Sequence, residues 1–402
     1  MSPKKWFAVH SFAGFYFGWL MLLVCLSGTL AVVSHEIEYL SDAKFRASGA
    51  SGPVPWAQLQ AELDRQYAGY QILALEVPDQ TYLAGEISLV RQNEFLFVYF
   101  DPASGRLTGD GEWGRLSRYL RNLHMYLSMG DVGKVLVTAL SFLLAALLVS
   151  SFYVYKQWWK GVLKWPGRLT LQKRTHWSDW HKWLGACSWP FVLIITLTGL
   201  WYFTEFWLLR LKVEHYPSVP KLSQPADPAA VLPLAELVQK AQQAAPWLEV
   251  RAVNFPVQAK AAVMLSGQDG NPLYRNRANR VYLHPNSGEI IQTQRQGDLG
   301  LVATLVDIAD PLHFGSFAGL GVKLLYLLFG LALTFLVASG LWLHRLRTKR
   351  QQPQLARWYG LHGALCLALV LLALGLTTTN FSQREIERLP LSPVLGSAGV
   401  RS

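Results

Sequence analysis

Long apolar stretches alternate with polar segments along this chain of 402 residues. Five stretches reach the roughly 17–25 apolar residues that a helix needs to cross a bilayer. They are residues 12–34, 135–155, 184–207, 320–343 and 361–380. Two long polar segments separate the first stretch from the second and the third from the fourth. The pattern predicts an integral membrane protein with about five spans and two extramembrane domains.

The two long polar segments show the same order of predicted elements. In the first segment, residues 55–68 have helical spacing of apolar side chains, and residues 83–90 and 94–101 are rich in β-forming residues. The corresponding elements of the second segment are a helix at 234–244 and strands at 250–255, 261–266 and 280–284. Each segment is therefore predicted to fold as a small α+β module.

The spans and modules divide the chain into ten predicted segments. Transmembrane helices 1 to 5 are placed at residues 1–34, 134–156, 184–207, 320–344 and 358–380. The other segments are a first module at 35–133, a basic loop at 157–183, a second module at 208–319, a basic loop at 345–357 and a C-terminal tail at 381–402. The predicted fold class is an integral membrane α-helical bundle with two small α+β modules.

Several short motifs occur twice, in the same order. The matching positions are His10 and His181, Gly28 and Gly199, His124 and His313, and the turns 101–105 and 284–288. Internal repeats of this kind indicate that one structural unit has been duplicated. Because both copies enter the membrane from the same side, the chain is predicted to contain two tandem, parallel units of span, module and span.

The positive charge of the chain is concentrated in three short segments. The formal net charge is +11 and the mean hydropathy is +0.19. Fourteen Lys and Arg residues and a single acid lie before the first span and in the two basic loops. By the positive-inside rule these segments are cytoplasmic, which places both modules on the opposite side, the periplasm of a bacterial envelope. The modules carry no basic excess, which argues against a nucleic-acid partner.

Several common chemistries find no support in the sequence. The three cysteines, Cys25, Cys187 and Cys366, each fall inside an apolar stretch, and no Cys-x-x-Cys pair occurs. This excludes a disulfide framework, a usual zinc site and covalent c-type haem. There is no Gly-x-Gly-x-x-Gly or Walker motif for a nucleotide, and no nucleophile constellation is visible. We therefore assign no catalytic side chain.

The repeated histidines are the candidate cofactor ligands. A polar side chain in a membrane is costly unless it has a partner, so histidines at the ends of spans are functional candidates. Imidazole is a common axial ligand of haem iron. The repeat predicts one pair, His10 with His181, near the cytoplasmic face and a second pair, His124 with His313, near the opposite face. The competing interpretation is that these histidines only cap or line helix ends.

Other residues remain open as alternatives. His362 and His344 lie near span ends and could replace a cytoplasmic ligand, and His35 could replace His124. Arg118 and Arg121 lie on the same predicted helix as His124 and could contact haem propionates. A solvated helix face explains these two arginines equally well.

Six motifs occur in a fixed order over residues 6–345. They are His10…Gly14 with Leu26-Ser-Gly28, Tyr99-Phe-Asp-Pro-Ala-Ser-Gly105, Leu123-His124, His181…Gly185 with Leu197-Thr-Gly199, the turn 284–288, and Leu312-His-Phe-Gly315. In these motifs the chain resembles the PepSY-associated transmembrane family, whose members include inner-membrane siderophore reductases. The resemblance implies four core helices, two periplasmic PepSY-like modules, and b-type haem held non-covalently by histidines. It also implies electron transfer to a ferric-siderophore in the periplasm.

The sequence thus leads to one main hypothesis and one alternative. The main hypothesis is an oxidoreductase of the bacterial inner membrane, a cytochrome with two b-type haems. It would pass electrons from a quinol or a cytoplasmic donor to a periplasmic acceptor, reducing ferric-siderophore iron to Fe(II). The alternative is a non-enzymatic membrane protein whose modules bind a siderophore or a partner protein. A secondary transporter is the weakest hypothesis, because no acidic residue lies at mid-membrane.

Overall fold

A computed structural model describes residues 2–92, 94–170, 173–256, 258, 260–351, 363–365 and 367–376. Its α-helices are α1 Pro3–Tyr16, α2 Gly18–Val32, α3 Ser34–Ser41, α4 Trp56–Gln66, α5 Leu116–Tyr126, α6 Asp131–Val154, α7 Trp158–Val162, α8 Arg174–Arg210, α9 Leu234–Ala244, α10 Leu301–Phe314 and α11 Gly319–Gln351. Its strands are β1 Gln71–Glu76, β2 Gly85–Arg91, β3 Glu94–Phe100, β4 Leu107–Gly111, β5 Glu249–Asn254, β6 Val263–Gln268, β7 Asn279–Leu283 and β8 Ile290–Gln294.

Within the described residues, three helices are long and apolar enough to cross a membrane. These are α6, α8 and α11. The consecutive helices α1 and α2 are together also long and apolar enough to cross a membrane, although they are bent by 68° relative to each other. The protein therefore has three candidate spans, or four if the bent pair forms one span.

The bend in the first apolar stretch was not expected from the sequence, which predicts one continuous helix there. It lies at Phe17, whose backbone angles (φ −110°, ψ 2°) fall outside the helical range. The next residue, Gly18, lies against α11, and a Cβ atom added to it would come within 2.6 Å of the Leu341 side chain. Hydropathy records only how apolar a segment is, so it carries no information about this change in direction.

Only part of the predicted fifth span lies within the described residues. A helix over Gly363–Leu376 is apolar but shorter than the 18 residues required of a candidate span. His362 and Cys366 lie outside the described residues. The fifth span therefore stays a prediction.

The long helices form a bundle in which α6 and α11 each lie between the α1–α2 pair and α8. Helix α6 packs against α1 and α8, while α11 packs against α2 and α8. The bent α1–α2 pair and α8 thus lie at opposite corners, with α6 and α11 between them. Helix α5 packs on α2 and α6, and α10 packs on α8. Both shorter helices therefore lie at the same end of the bundle, where they connect it to the strands.

All strands belong to one antiparallel sheet with the order β4-β3-β2-β1-β5-β6-β7-β8. Strands β1–β4 come from the first predicted module and β5–β8 from the second. The two modules meet where β1 pairs with β5, with Leu75 opposite Val253. The sequence predicts an α+β unit in each segment, and the structure adds that the two units share a continuous sheet.

The core of the sheet lies on one face. Alternate strand residues, including Leu75, Val98 and Val253, are fully buried there beneath the helices α4 and α9. The opposite face carries large buried side chains such as Tyr99 and Tyr282. On this opposite face, the guanidinium of Arg118 on α5 lies 4.0 Å from the Phe97 ring centroid. The sheet is therefore covered by α4 and α9 on one face and meets α5 on the other.

The β1–β5 junction provides a test of the shared core. We expect Leu75→Ala to lower the free energy of unfolding of the modules by about 2–5 kcal/mol, because it leaves a cavity where both halves meet. Gln71→Ala changes an exposed position at the start of the same strand and should have an effect of less than about 0.5 kcal/mol. Chemical denaturation of the detergent-solubilised protein, followed by tryptophan fluorescence, measures both. Equal stability of the two variants would contradict a core at this junction.

Candidate functional site

The structure brings His10 and His181 together, and we call them the loop-side pair. His10 lies on α1 and His181 lies in the second turn of α8, on opposite corners of the bundle. Their ring centroids are 6.3 Å apart and their planes are perpendicular, at 87°. Residues 171 positions apart in the sequence therefore face each other across the interior of the bundle.

The structure also brings together His124 and His313, which we call the sheet-side pair. His124 lies in the last turn of α5 and His313 in the last turn of α10. Their ring centroids are 6.1 Å apart and their planes are inclined at 40°. Both helices end in a left-handed residue, Leu127 after α5 and Gly315 after α10, before the chain turns into α6 and α11. The two histidines therefore occupy the same place in each half.

Each histidine of the loop-side pair forms a hydrogen bond with a buried serine of its own half. His10 Nδ1 lies 3.0 Å from Ser150 Oγ, and His181 Nδ1 lies 2.8 Å from Ser339 Oγ. Both serine hydroxyls donate their single proton to a backbone carbonyl of their own helix, at 3.1 Å. The serine oxygens can therefore accept from the histidines, and in this arrangement the ring proton is on Nδ1.

The sheet-side pair is held in the same way by different partners. His124 Nδ1 lies 2.9 Å from the carbonyl oxygen of Val24, which can only accept a hydrogen bond. His313 Nδ1 lies 2.8 Å from Thr198 Oγ1, whose own proton points to the Ile194 carbonyl at 2.8 Å. Both rings therefore also carry their proton on Nδ1.

With these partners all four rings donate from Nδ1, which leaves Nε2 as the nitrogen available to a metal. Among the described residues, none of these four Nε2 atoms takes part in a hydrogen bond. Metal-bound histidines are commonly oriented by a hydrogen bond from the ring nitrogen that does not bind the metal. Two imidazoles that bind one metal from opposite sides, each at about 2 Å, have ring centroids about 6 Å apart. The observed separations of 6.3 and 6.1 Å match that geometry.

The two pairs lie near opposite ends of the bundle. His181 and Thr198, which contacts His313, are 17 residues apart on the continuous helix α8. At a rise of 1.5 Å per residue this is about 25 Å along the helix axis. The hydrocarbon core of a bilayer is about 30 Å thick. Two sites at this spacing would lie near the two faces of one membrane.

A glycine makes room for one ring of the sheet-side pair. A Cβ atom added to Gly28 on α2 would lie 2.5 Å from His124 Cε1, closer than real Cβ contacts. The corresponding Gly199 on α8 has Ser141 as its nearest neighbour, at 2.9 Å. The repeated glycine therefore serves ring packing in the first half and helix packing in the second.

Two of the alternative histidines, His344 and His35, lie away from the two pairs. His344 stacks on Phe15, with ring centroids 4.2 Å apart, and its Nδ1 lies 3.1 Å from Ser11 Oγ. His35 is half exposed, and Arg115 lies 2.9 Å from its Nδ1. His362 lies outside the described residues.

The arginines of α5 belong mainly to an ion cluster between the helix and the sheet. Glu86 on β2 pairs with both Arg115 and Arg118, at 2.5 Å each. Arg115 also pairs with the buried Glu38 at 2.8 Å. Arg121 is exposed. The structure therefore turns Arg118 towards Glu86 and Phe97, and the predicted propionate contact of Arg118 and Arg121 stays a prediction.

Glu38 is the most strongly perturbed carboxylate of this cluster. Burial alone would raise its pKa, but the neighbouring His35 and Arg115 and the backbone N–H of Ser117 outweigh burial and lower the pKa to about 2. Glu38 Oε1 also accepts the backbone N–H of Ser117 at 2.7 Å, in the first turn of α5. The carboxylate thus fixes the start of the helix that carries His124.

The two histidine pairs suit a metal ion whose other ligands come from a cofactor. Among the described residues, no group of three or more His, Cys, Asp or Glu side chains could hold a bare metal ion. Each histidine pair offers two imidazoles about 6 Å apart, and a metal inside a tetrapyrrole needs only two such ligands from the protein. The residues present therefore fit haem better than a free ion.

A helical bundle with histidine pairs and an extramembrane antiparallel sheet defines a membrane protein with candidate cofactor sites. The chain belongs to the family described as the PepSY-associated TM region. The family model matches residues 7–347, and a second match covers residues 216–382. No curated protein matches the chain.

The sequence analysis did not identify the serines that orient the loop-side pair. Ser150 and Ser339 are 189 positions apart, the same offset that separates His124 from His313. Matching this offset along the two halves would have found them, because few polar residues recur inside the apolar stretches. The sequence analysis also did not identify Tyr202 and Arg275, because neither has a counterpart of the same type in the first half.

The Glu38 cluster yields a pH-dependent prediction. Glu38→Gln should lower the free energy of unfolding at pH 7 by roughly 3 kcal/mol. The reason is that the folded protein holds the pKa of Glu38 at about 2, well below its ordinary value of 4.5. A lowered pKa stabilises the protein above the ordinary pKa of 4.5, and this stabilisation is lost as the pH falls towards 2. The difference between variant and wild type should therefore shrink below pH 4.5.

Thermal unfolding at pH 7, 5 and 3 measures this difference. Glu62→Gln is the matched control, because Glu62 pairs with Arg65 on the outer helix α4 in a solvent-exposed pair. Its effect on stability should be small at every pH, because solvent screens this pair. A Glu38→Gln effect that is the same at all three pH values would contradict the assigned cause.

Proposed function

We propose that this protein is a b-type cytochrome of the bacterial inner membrane that binds two haems, one at each histidine pair, and transfers electrons across the membrane. The observation that carries the proposal is the shared state of the four histidines. Each one has a hydrogen-bond partner at Nδ1, and its ring lies about 6 Å from that of a second histidine. Structural capping of helix ends would not require the same protonated nitrogen four times.

In this proposal His10 and His181 hold the haem of the loop-side pair, and His124 and His313 hold the haem of the sheet-side pair. Haem bound in this way supplies a one-electron Fe(III)/Fe(II) couple. Held by two histidines, each haem would serve electron transfer and not oxygen chemistry. Ser150, Ser339, Thr198 and the Val24 carbonyl orient the rings and make the ligands more basic.

We further propose that the two halves are parallel repeats and that four helices cross the membrane, with α1 and α2 together forming the first span. The common offsets of the histidines and serines support the repeat. The strand order supports it as well, because the strands of each half follow chain order outward from the centre of the sheet, β1 to β4 on one side and β5 to β8 on the other. The basic loops then face the cytoplasm and the sheet faces the periplasm.

The acceptor that this arrangement suits best is ferric iron in a siderophore on the periplasmic side. Hard oxygen ligands that hold Fe(III) bind Fe(II) much less tightly, so reduction releases the metal. The sheet-side pair lies at the end of the bundle next to the modules, where such an acceptor can approach. Electrons would enter at the loop-side pair from a quinol or a cytoplasmic donor.

Haem content tests the proposal directly. We expect the purified protein to show about two b-type haems per chain by pyridine haemochrome assay. His124→Ala and His313→Ala should each remove one haem, because a single remaining imidazole binds far less tightly. His284→Ala, in a turn of the second module, should retain both. A colourless protein after expression with ample haem would instead favour the non-enzymatic binding protein.

Gly28 offers a test that leaves every ligand in place. Gly28→Ala puts a methyl group where His124 now lies, so we expect the haem content to fall from about two to about one. Gly321→Ala, on α11, is the matched control, because a Cβ atom there meets nothing within 4 Å. Full haem content in both variants would show that His124 does not hold a cofactor in this position.

A further inference from the structure

The helices that carry the sheet-side pair have opposite charges at equivalent positions. Arg118 and Arg121 precede His124 on α5 by six and three residues. The residues at the same distances before His313 on α10 are Asp307 and Asp310. The repeat therefore preserves the ligand but reverses the charge beside it.

Both aspartates of α10 are bound by Arg275, in the segment between β6 and β7. Arg275 forms ion pairs with Asp310 and, at 3.4 Å, with Asp307, which is fully buried. Its Nη2 also donates to the Val306 carbonyl at 2.9 Å. Asp307 has a second cation partner in Arg277 at 2.8 Å. Within this group, Arg275 is therefore the cation that balances Asp310.

Tyr202 connects Asp310 to the ligand. Its hydroxyl donates to Asp310 Oδ1 at 2.5 Å, and its ring lies edge-on to the His313 ring, with centroids 5.2 Å apart. Asp310 itself lies one helical turn before His313, so both side chains project from the same face of α10. The carboxylate is thus fixed close to the candidate ligand.

We propose that the Asp310–Arg275 ion pair sets the reduction potential of the sheet-side site, with Tyr202 holding the carboxylate beside His313. This inference rests on the proposed function. Asp310 and Arg275 are positioning residues in this role, because neither contacts the bound metal. Charges in a poorly solvated site act strongly on a nearby redox centre. A carboxylate favours the more positive ferric form, and a guanidinium disfavours it.

The ion pair predicts shifts of opposite sign from its two members. Asp310→Asn leaves the Arg275 charge uncompensated and should raise the potential of the sheet-side haem. Arg275→Gln leaves the Asp310 carboxylate uncompensated and should lower it. The double variant removes both charges and should return close to the wild-type potential. General damage to the site would not produce opposite shifts that cancel.

Potentiometric titration of the purified protein, followed by the reduced absorption band, measures these shifts. The shifted component should be the one that His313→Ala removes, while the other component stays unchanged. Glu62→Gln and Arg65→Gln break an ion pair of the same charges on the outer helix α4 and should leave both components unchanged. Arg275→Lys retains the charge and should stay close to the wild-type potential. It therefore distinguishes loss of charge from loss of the guanidinium contacts.

The outcomes separate this inference from the proposed function. Haem-loaded variants with unchanged potentials, or with shifts in the same direction, would overturn the role of the ion pair while leaving the cytochrome assignment intact. A wild-type protein without haem would overturn both. If Arg275→Gln does not retain haem, the decision rests on Asp310→Asn and Arg275→Lys, for which a raised and an unchanged potential are expected. Any other result in these two variants contradicts the proposal.

Discussion

The hydrogen bond from each histidine Nδ1 is the interaction on which the candidate site depends. An imidazole can carry its proton on either nitrogen, and only a partner that must accept decides which. In the membrane bundle these partners are a backbone carbonyl and three hydroxyls that have already donated their own proton. They hold the rings at partly buried positions of the bundle, where an unpaired polar atom is costly. The same bonds tie α1 to α6, α8 to α11 and α5 to α2, so the ligands and the bundle are ordered together.

The extramembrane sheet extends this order beyond the bundle. Helices α5 and α10 carry the sheet-side pair and lie between the strands and the long helices. Each is held against the rest of its own half by partly buried ion pairs, through Glu38 and Glu86 for α5 and through Arg275 for α10. Because both halves contribute four strands to one sheet, the two helices are fixed relative to each other. A separation of about 6 Å between His124 and His313 therefore does not depend on the bundle alone.

Much of this arrangement could be predicted from the sequence, and the family match agrees with the motifs. Hydropathy located the long helices, and the repeated motifs paired His10 with His181 and His124 with His313, which the structure places side by side. Hydropathy did not reveal the bend at Phe17, because it has no directional content. The sequence analysis also placed no strand at β1, whose short QILALE run has a weak pattern although it joins the two modules. The charge reversal between Arg121 and Asp310 was visible in the repeat, but its partner Arg275 is distant in sequence and could be found only through the fold.

The symmetry of the sheet has a consequence for any shorter relative of this protein. A chain with only one half would leave β1 as an unpaired edge strand, which is prone to pair with another chain. It would also provide only one histidine at each end of the bundle. Two such chains, joined through their β1 strands, would restore both the continuous sheet and the two pairs. A half-length chain with these motifs is therefore expected to complete the sheet and the histidine pairs only as a homodimer.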